Sequence, residues 1–554
     1  MSVKATSTGG LGRASALLAS GTIVSRVLGF VSAALLAQTI GTIGASADTF
    51  TLANQLPNNI YAIIAGGLLN AVLVPQIVKA GLHDDGGQRF INRLVTLGLV
   101  VFVVAAVAAT AAAPLLVRLY AAQSDGGGPG LSGDEIALAT AFAYWCLPQV
   151  LFYAIYSLLG EVLNARRVFG PFTWTPVLNN IVAIAGMLVF IAVFGSVDKA
   201  TDASAWTPQM IAVLAGSATL GVAIQGFALF FFWRRAGLVY RPDFHWRGVG
   251  LAATGKAASW IFGMILITQL AGIVQTQVAS RSAGGDDASL AVLRYSWLIF
   301  MLPHSIVAVS IMTAYFTRMS GHARDGDLGS VRADLSSSLR TIGLIMVFAS
   351  VGLIVLAYPF SAIFSSDSSF AATSAMAPVL IAYLIGLVPF SVLFVLQRTF
   401  YSLENTRTPF FLQLFQSIVF VAGALLVSTF PTDRIAVGIA AVTAIAGFAQ
   451  AVAAAVFLRR VLGSIDGRRV IRQHAVYLLA SLPTAVVGVA LLLAMGGTTE
   501  GGFAVSSALT AGVSLVVIGS AMAVVYFGAL VALRNPELGA ILKPIGQRLR
   551  RRAE

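Results

Sequence analysis

The sequence predicts an all-α integral membrane protein with 14 transmembrane helices, arranged as two parallel six-helix repeats followed by two C-terminal helices. Composition, the length of the apolar runs and an internal repeat each favour this fold class. Of the 554 residues, 58% are hydrophobic and only 10% are charged, with a mean hydropathy of +0.87. A soluble domain carries about a quarter of its residues as charged side chains, so the composition excludes that class.

Apolar runs of about 20 residues recur along the whole chain, and each is long enough to cross a hydrocarbon core of about 30 Å as a helix. The first run is longer than the apolar core of a signal peptide and contains Arg26, so we expect it to be retained as a span. The fourteen predicted spans are 14–40, 50–79, 94–118, 136–160, 170–196, 208–233, 253–280, 291–317, 340–364, 376–402, 409–430, 435–458, 475–496 and 503–533.

The distribution of positive charge supports this helix count. Of the 35 lysines and arginines, 28 fall before the first span, in one set of alternate loops or after the last span. Basic residues in short loops collect on the cytoplasmic side, so both termini are predicted to be cytoplasmic. The net charge of +13 is therefore a topology signal and requires no nucleic-acid partner. The arginines between Arg548 and Arg552 are predicted to contact anionic lipid.

Two pairs of predicted helices resemble each other across the chain. The number of residues between Pro148 and Pro389 equals the number between Asn164 and Asn405. The sequence LPNNI in the second span is similar to LPHSI in the eighth. Each pair is displaced by six helices, which predicts two parallel repeats, an arrangement found in transporters. We therefore expect an N-lobe at 1–240 with helices 1–6, a C-lobe at 241–462 with helices 7–12, and helices 13–14 with a basic tail at 463–554.

The sequence offers no catalytic or metal-binding motif, so we predict neither an enzyme nor a cofactor. GLAATGKA, Gly250–Ala257, approaches a phosphate-binding loop, but Ala257 stands where a magnesium-binding hydroxyl is needed and no strand precedes it. Cys146 is the single cysteine, so it forms no internal disulfide, and we expect it to be a small buried residue.

Polar side chains inside apolar spans are the candidate functional residues. Arg26 lies within the first span, where a charge faces either a wet cavity or a partner unless the side chain reaches the headgroups. The second span begins near Asp48 and carries Asn54 and Asn58 four residues apart, next to a second amide row of Gln55 and Asn59. These rows line either a polar cavity or hydrogen-bonded helix contacts.

Three other polar positions leave alternatives open. Arg294 borders the connection between helices 7 and 8, where Asp286 and Asp287 could neutralise it. Arg398 is predicted to lie near the inner interface, with Glu404 or lipid phosphate as its partner. His304 is expected to be a packed polar residue.

The chain resembles the MurJ (MviN) family of lipid II flippases, within the multidrug, oligosaccharidyl-lipid and polysaccharide exporter superfamily. The matching segments are SRVLGF at Ser25, ADTFTLANQLPN at Ala47, VLNARRVFGPFTWTPVLNN at Val162 and RTFYSLENTRTP at Arg398. They are spread over helices 1 to 11 in the order of the family. Together they are specific, whereas any one of them alone is weak.

The resemblance implies a V-shaped central cavity between two lobes, with helices 13 and 14 forming a groove for a polyprenyl tail. It implies transport of lipid II, undecaprenyl-pyrophosphoryl disaccharide-pentapeptide, from the inner to the outer leaflet of the bacterial plasma membrane by alternating access. Arg26 would then bind the pyrophosphate. Membrane lipids and proteins of cell-wall synthesis or division are the other expected partners. The predicted substrate-binding residues are Arg26, Asp48, Asn54, Asn58, Asn59 and Arg294.

This chain departs from the family pattern at several positions. Many members carry further arginines where this chain has Ser32, Leu298 and the pair Tyr61 and Ala62. Arg294 lies one turn before Leu298 and is the predicted substitute. Helices 7, 11 and 12 contain no acidic residue for sodium, so ion coupling has no support. Two alternatives remain, namely a flippase for another polyprenyl-linked glycan and a non-transporting scaffold for cell-wall enzymes.

Overall fold

The computed structural model describes residues 8–68, 87–124, 128–166, 168, 170–197, 202–245, 255–365 and 369–540. In these ranges the regular structure is helical, apart from one isolated bridge between Gln123 and Leu131. The α-helices are α1 Thr8–Ile40, α2 Ala45–Leu68, α3 Gln88–Ala111, α4 Ala113–Tyr120, α5 Gly133–Cys146, α6 Gln149–Ala165, α7 Gly170–Phe194, α8 Pro208–Ala228, α9 Phe230–Trp233, α10 Gly255–Ala279, α11 Leu290–Pro303, α12 Val309–Arg324, α13 Leu328–Val355, α14 Ala357–Phe364, α15 Phe370–Ile385, α16 Leu387–Ser402, α17 Arg407–Val427, α18 Thr432–Leu462, α19 Gly467–Ala494 and α20 Ala508–Ala532.

The described residues contain 12 helices that are long and apolar enough to cross a membrane, and the bent pair α15–α16 raises this number to 13. The all-helical membrane fold is therefore confirmed. The predicted span 50–79 overlaps α2 and continues into residues 69–86, which lie outside the described residues. The count of fourteen and the six-helix repeat stay predictions.

Proline and capping residues move several helix boundaries away from the predicted ones. The predicted span 94–118 is divided at Ala112, and Pro114 stands in the first turn of α4, where its missing N–H costs nothing. α13 begins at Leu328, twelve residues before the predicted start, and Asp327 caps it by accepting a hydrogen bond from the Ser330 N–H at 2.9 Å. The first turns of α13 are therefore polar, which is why hydropathy alone predicts a later first residue for this helix.

Packing divides the chain into two units, Met1–Gly285 and Asp286–Glu554, called unit 1 and unit 2 below. α10 belongs to unit 1, where it packs against α2 and α4. The sequence-based lobe boundary at residue 240 stays a prediction.

The core of unit 1 is built where α3 and α6 pack together. Phe102, Leu158 and Leu159 are almost fully buried there. Gly98 faces the side chain of Leu158 so closely that a Cβ at this position would displace it, and such small residues let membrane helices approach each other. A separate aromatic contact joins Phe142 of α5 to Trp206, with ring centroids 5.0 Å apart.

An extended segment of unit 1, residues 239–243, lies along the first turns of α3, and we call it the strap. Three polar side chains of α3, spaced four residues apart, bind its backbone. The hydrogen bonds join Gln88 to Val239 at 2.7 and 3.2 Å, Asn92 to Arg241 at 3.3 Å and Thr96 to Asp243 at 3.1 Å. Their regular spacing places all three side chains on one face of α3.

An ion pair completes the strap. Arg93 Nε lies 2.9 Å from Asp243 Oδ2, and the His245 N–H donates to Asp243 Oδ1 at 2.9 Å. This N–H, followed by the side chains of Arg93 and His245, lowers the pKa of Asp243 to about 2. The carboxylate is therefore charged at neutral pH.

Unit 2 contains two irregular membrane helices that meet at a polar contact. After Pro303, residues His304–Ala308 form a π-helical turn between α11 and α12, a feature common at functional sites. α15 and α16 are bent by 41° at Gly386. His304 is buried and its Nδ1 lies 3.0 Å from Ser391 Oγ of α16, so this contact joins the two irregular helices.

Candidate functional site

Arg26 lies on a face of α1 that the neighbouring helix leaves open. α1 packs on α7, where Asn180 Nδ2 donates to the Ser25 carbonyl at 3.1 Å. Gly29, one turn further on, also faces Asn180. Arg26 lies outside this packed face, its side chain is exposed, and in the described part of the chain it makes no ion pair. Its guanidinium is therefore available to water or to a ligand.

Asp48 has a different environment, because it is completely buried. Its Oδ2 accepts a hydrogen bond from the Gly284 N–H at 3.3 Å. The carboxylate thus contacts the backbone that follows α10. Its assignment as a substrate-binding residue stays a prediction.

Asn54 belongs to a polar network in the core of unit 1. Its Oδ1 accepts a hydrogen bond from Gln149 Nε2 at 3.4 Å, and the same nitrogen donates to Thr219 Oγ1 at 2.9 Å. Tyr153 Oη donates to Gln149 Oε1 at 3.2 Å. Gln149 is only 1% exposed, so both ends of its amide are satisfied within the protein.

The remaining amides of α2 divide between packing and exposure. Asn58 is exposed. Asn59 is half-buried and hydrogen-bonds the Tyr120 hydroxyl, and Gln55 Nε2 donates to Thr276 Oγ1 of α10 at 3.5 Å. Gln55 and Asn59 thus contact neighbouring helices, as the second alternative predicts, whereas Asn58 is exposed. A polar cavity lined by these amides stays a prediction.

Arg294 lies near the start of α11 in unit 2, with its side chain exposed between buried neighbours. Within the described ranges it makes no ion pair with a carboxylate. It resembles Arg26 in this respect. Its role as a substitute for missing family arginines stays a prediction.

Tyr61, Ser32 and Leu298, singled out by the family resemblance, are uncharged positions with different surroundings. The ring of Tyr61 packs at a tilt against those of Phe102 and Tyr153, with centroid distances of 5.9 and 5.8 Å. Ser32 and Leu298 are half-buried. Aromatic contacts thus surround Tyr61, in a region where the sequence carries no arginine.

Sequence reasoning missed a buried ion pair in unit 2. Arg340 of α13 is 6% exposed, and its Nε lies 3.0 Å from Glu537 Oε1, beyond the end of α20. Arg318 of α12 pairs in the same unit with the buried Asp334 of α13. No local pattern indicates the first pair, because its two partners are far apart in the sequence.

Metal binding has no support in the described residues, where no group of three His, Cys, Asp or Glu side chains is arranged to hold an ion. The exposed candidate residues are Arg26 and Asn58 in unit 1 and Arg294 in unit 2. Arginine and amide side chains can bind anionic and hydroxyl-rich ligands through hydrogen bonds.

Comparisons of the sequence with known proteins identify related membrane transporters. The family model described as "Lipid II flippase MurJ" matches residues 36–513. A probable lipid II flippase MurJ of Haemophilus influenzae is 27% identical over 401 residues, covering 70% of this chain and 75% of that protein. One from Rhizobium tropici is 26% identical over 450 residues and covers 79% of each chain.

Solved structures show the same fold. A lipid II flippase MurJ in an inward closed conformation superposes with a TM-score of 0.70 at 19% identity, covering 93% of this chain and 99% of that chain. An inward-facing multidrug transporter of the MATE family has a TM-score of 0.60 at 14% identity, covering 80% and 96%. At these identities the likeness concerns the fold alone. Because the family model spans most of the sequence, the chain belongs to the MurJ family of lipid II flippases.

Proposed function

We propose that this protein moves lipid II, undecaprenyl-pyrophosphoryl disaccharide-pentapeptide, from the inner to the outer leaflet of the bacterial plasma membrane. The observation that carries the proposal is Arg26, an exposed arginine in a membrane helix of a MurJ-family chain, with no counter-ion among the residues that the structure describes. An arginine at the bilayer centre costs about 2.5–3.5 kcal/mol on insertion scales. A membrane helix that keeps a charged arginine despite this cost is consistent with binding of an anionic ligand by that arginine.

The chemistry of lipid II suits this residue. A pyrophosphate is strongly charged, and moving it through a medium of low dielectric is costly unless a positive group accompanies it. The planar guanidinium of Arg26 can donate two parallel hydrogen bonds to phosphate oxygens. The exposed amide of Asn58 adds donors and acceptors for sugar or peptide groups. The polyprenyl tail can stay in the lipid, so only the headgroup needs a polar path.

The finer organisation belongs to this proposal. It comprises fourteen membrane helices in two six-helix repeats, a groove between helices 13 and 14 for the lipid tail, and alternating access as the mode of transport. It places both termini in the cytoplasm, in agreement with the basic loops and tail. In this scheme Asp48, Asn54 and Asn59 hold the polar segment of α2 in position, and Arg294 takes part in phosphate binding.

Depletion and replacement in cells test the proposal. In a bacterium depleted of its own lipid II flippase, expression of this protein should restore growth and prevent lipid II from accumulating on the inner leaflet. Continued accumulation in the presence of well-expressed, membrane-inserted protein would contradict the proposal. Restored partner localisation with continued accumulation would identify a scaffold instead.

The role of Arg294 is tested in the same cells. Arg294→Ala should reduce the rescue, because it removes one of the two exposed arginines assigned to the phosphate. Full rescue by Arg294→Ala combined with no rescue by Arg26→Ala would show that Arg294 is not a substitute.

A further inference from the structure

Arg398 of α16 is a half-buried cation held by aromatic rings. Its guanidinium carbon lies 5.2 Å from the ring centroid of Phe394, one turn earlier on the same helix. It lies 5.6 Å from the ring centroid of Phe316 on α12. Two helices of unit 2 therefore fix the position of this one guanidinium.

In the described part of unit 2, no carboxylate pairs with this charge. Glu404 is the nearest acidic residue in the sequence, yet Arg398 forms no ion pair with it or with any other acid among the described residues of unit 2. The neighbouring polar contact, between His304 and Ser391, contains no carboxylate either. The ring of His304 packs against Phe394, with the two ring centroids 5.0 Å apart.

Unit 2 provides acidic partners for two other arginines, one buried and one exposed. Arg340 is paired with Glu537, and Arg318 is paired with Asp334. In those cases the arginine and its partner join two segments of the protein. Arg398 contacts aromatic rings where those arginines contact a carboxylate. The N–H groups at the edge of its guanidinium are therefore available to a ligand.

The hydrogen-bonding capacity of the guanidinium supports an external ligand. Cation–π contacts attract the face of a guanidinium but offer its N–H groups no oxygen acceptor. A guanidinium has five N–H donors in its plane and no acceptor, whereas rings interact with its face. The rings therefore orient the cation but leave most of its donors unsatisfied. An oxyanion with several acceptor atoms is the matching chemistry.

We propose that Arg398, held between Phe316 and Phe394, is a binding site for the phosphate group of a lipid. The site goes beyond the proposed function, because it belongs to unit 2 and can bind a phosphate whether or not lipid II is the cargo. Two lipids supply this chemistry, namely an anionic phospholipid and a polyprenyl diphosphate. The basic character of the residue and its position within the last turns of α16 suit a headgroup at the membrane surface.

Photo-crosslinking with peptide mapping tests the site locally. The purified full-length protein is labelled with photoreactive phosphatidylglycerol, photoreactive undecaprenyl diphosphate or, as a probe without phosphate, photoreactive diacylglycerol. We expect the two phosphate lipids to label the peptide containing residues 390–406. Arg398→Gln should reduce that labelling about tenfold, through loss of a charge-assisted contact, and should leave diacylglycerol labelling unchanged.

Two further variants separate charge from folding. Arg434→Gln is the matched control, because Arg434 is 74% exposed beside Asp433, and its labelling should equal that of the wild type. Phe394→Leu keeps the arginine but removes one ring, so phosphate-lipid labelling should fall several-fold while the protein stays folded. If Arg398→Gln does not fold, Phe394→Leu carries the test.

The outcomes assign the ligand or overturn the site. Loss with both phosphate lipids identifies a general phosphate site, and loss with one of them identifies that lipid as the ligand. Unchanged labelling in Arg398→Gln, or in Phe394→Leu when it alone folds, overturns the proposal. Translocation of lipid II is measured separately, so failure of this site does not imply failure of the proposed function.

Discussion

Arg26 in α1 and Arg340 in α13 are both arginines within long apolar helices, yet their surroundings are opposite. Arg340 is 6% exposed and paired with Glu537. Arg26 is exposed and unpaired in the described part of the chain. A buried pair joins two segments of a protein, whereas an open guanidinium is available to a ligand. We infer that unit 2 uses Arg340 for structure and that unit 1 presents Arg26 for transport.

The region around Arg340 shows what the buried pair holds together. Glu537 follows α20, and Asn535 in the same segment donates to Gln473 of α19 at 3.1 Å. Tyr526 Oη of α20 donates to the Leu344 carbonyl of α13 at 2.8 Å. These contacts fasten the last two helices of unit 2 to α13.

The largest expected effect on function comes from Arg26. Arg26→Gln should abolish rescue of a flippase-depleted strain, because glutamine cannot neutralise a pyrophosphate. Membrane insertion and thermal unfolding of the variant should match the wild type, since no protein group loses a partner. Growth is the measurement, with Arg434→Gln as the exposed control. A variant that fails to fold would show that Arg26 is structural, as Arg340 is.

Arg340 should give the opposite result, with a large effect on stability. Arg340→Gln leaves Glu537 buried without its counter-ion, which typically costs about 3–5 kcal/mol. Chemical unfolding in detergent measures this loss. The double variant Arg340→Met with Glu537→Leu should recover most of it, because an apolar pair needs no desolvation of charge. If the double variant is as unstable as the single one, the ion pair is not the cause.

Gln149 should have an intermediate effect, restricted to unit 1. Gln149→Leu removes the buried amide that bonds the half-buried side chains of Asn54, Thr219 and Tyr153. Loss of such a network costs about 1–3 kcal/mol in all. The free energy of unfolding should fall by an amount in this range, whereas Asn58→Leu at the exposed position of α2 should change it little. Equal effects of the two substitutions would contradict the network.

The smallest expected effect is the pH dependence of the strap. The pKa of Asp243 is lowered from 3.8 to about 2 in the folded protein, so its stabilising contribution is present above pH 3.8 and disappears as the pH falls toward 2. The melting temperature of wild type should exceed that of Asp243→Asn at pH 5, and the difference should shrink by pH 2. A difference independent of pH would show that charge at Asp243 does not hold the strap.

The sequence predicts the helices of this fold well because membrane spans need long apolar runs, and a run of that length has few other structures available. It places the start of α13 too late, since Asp327 and Asp334 lie in a polar stretch that capping and pairing keep helical. Hydropathy also predicts one span at 94–118, although the helix is interrupted at Ala112.

The candidate site is only partly accessible to sequence reasoning. Arg26 is recognised as a candidate because charge within an apolar run is rare and costly. The partners of Asn54 and Arg340 are not found, because a hydrogen bond or an ion pair between distant segments depends on packing and leaves no local spacing. The aromatic setting of Arg398 is missed for the same reason, since Phe316 comes from another helix.

Translocation of fluorescent lipid II by purified protein in vesicles tests the central claim most directly. Wild type and Arg434→Gln should move the lipid between leaflets at the same rate, and Arg340→Met with Glu537→Leu should remain active. Arg26→Gln, reconstituted in equal amount and folded, should move it at the rate of protein-free vesicles. Translocation by Arg26→Gln at the wild-type rate would contradict the account.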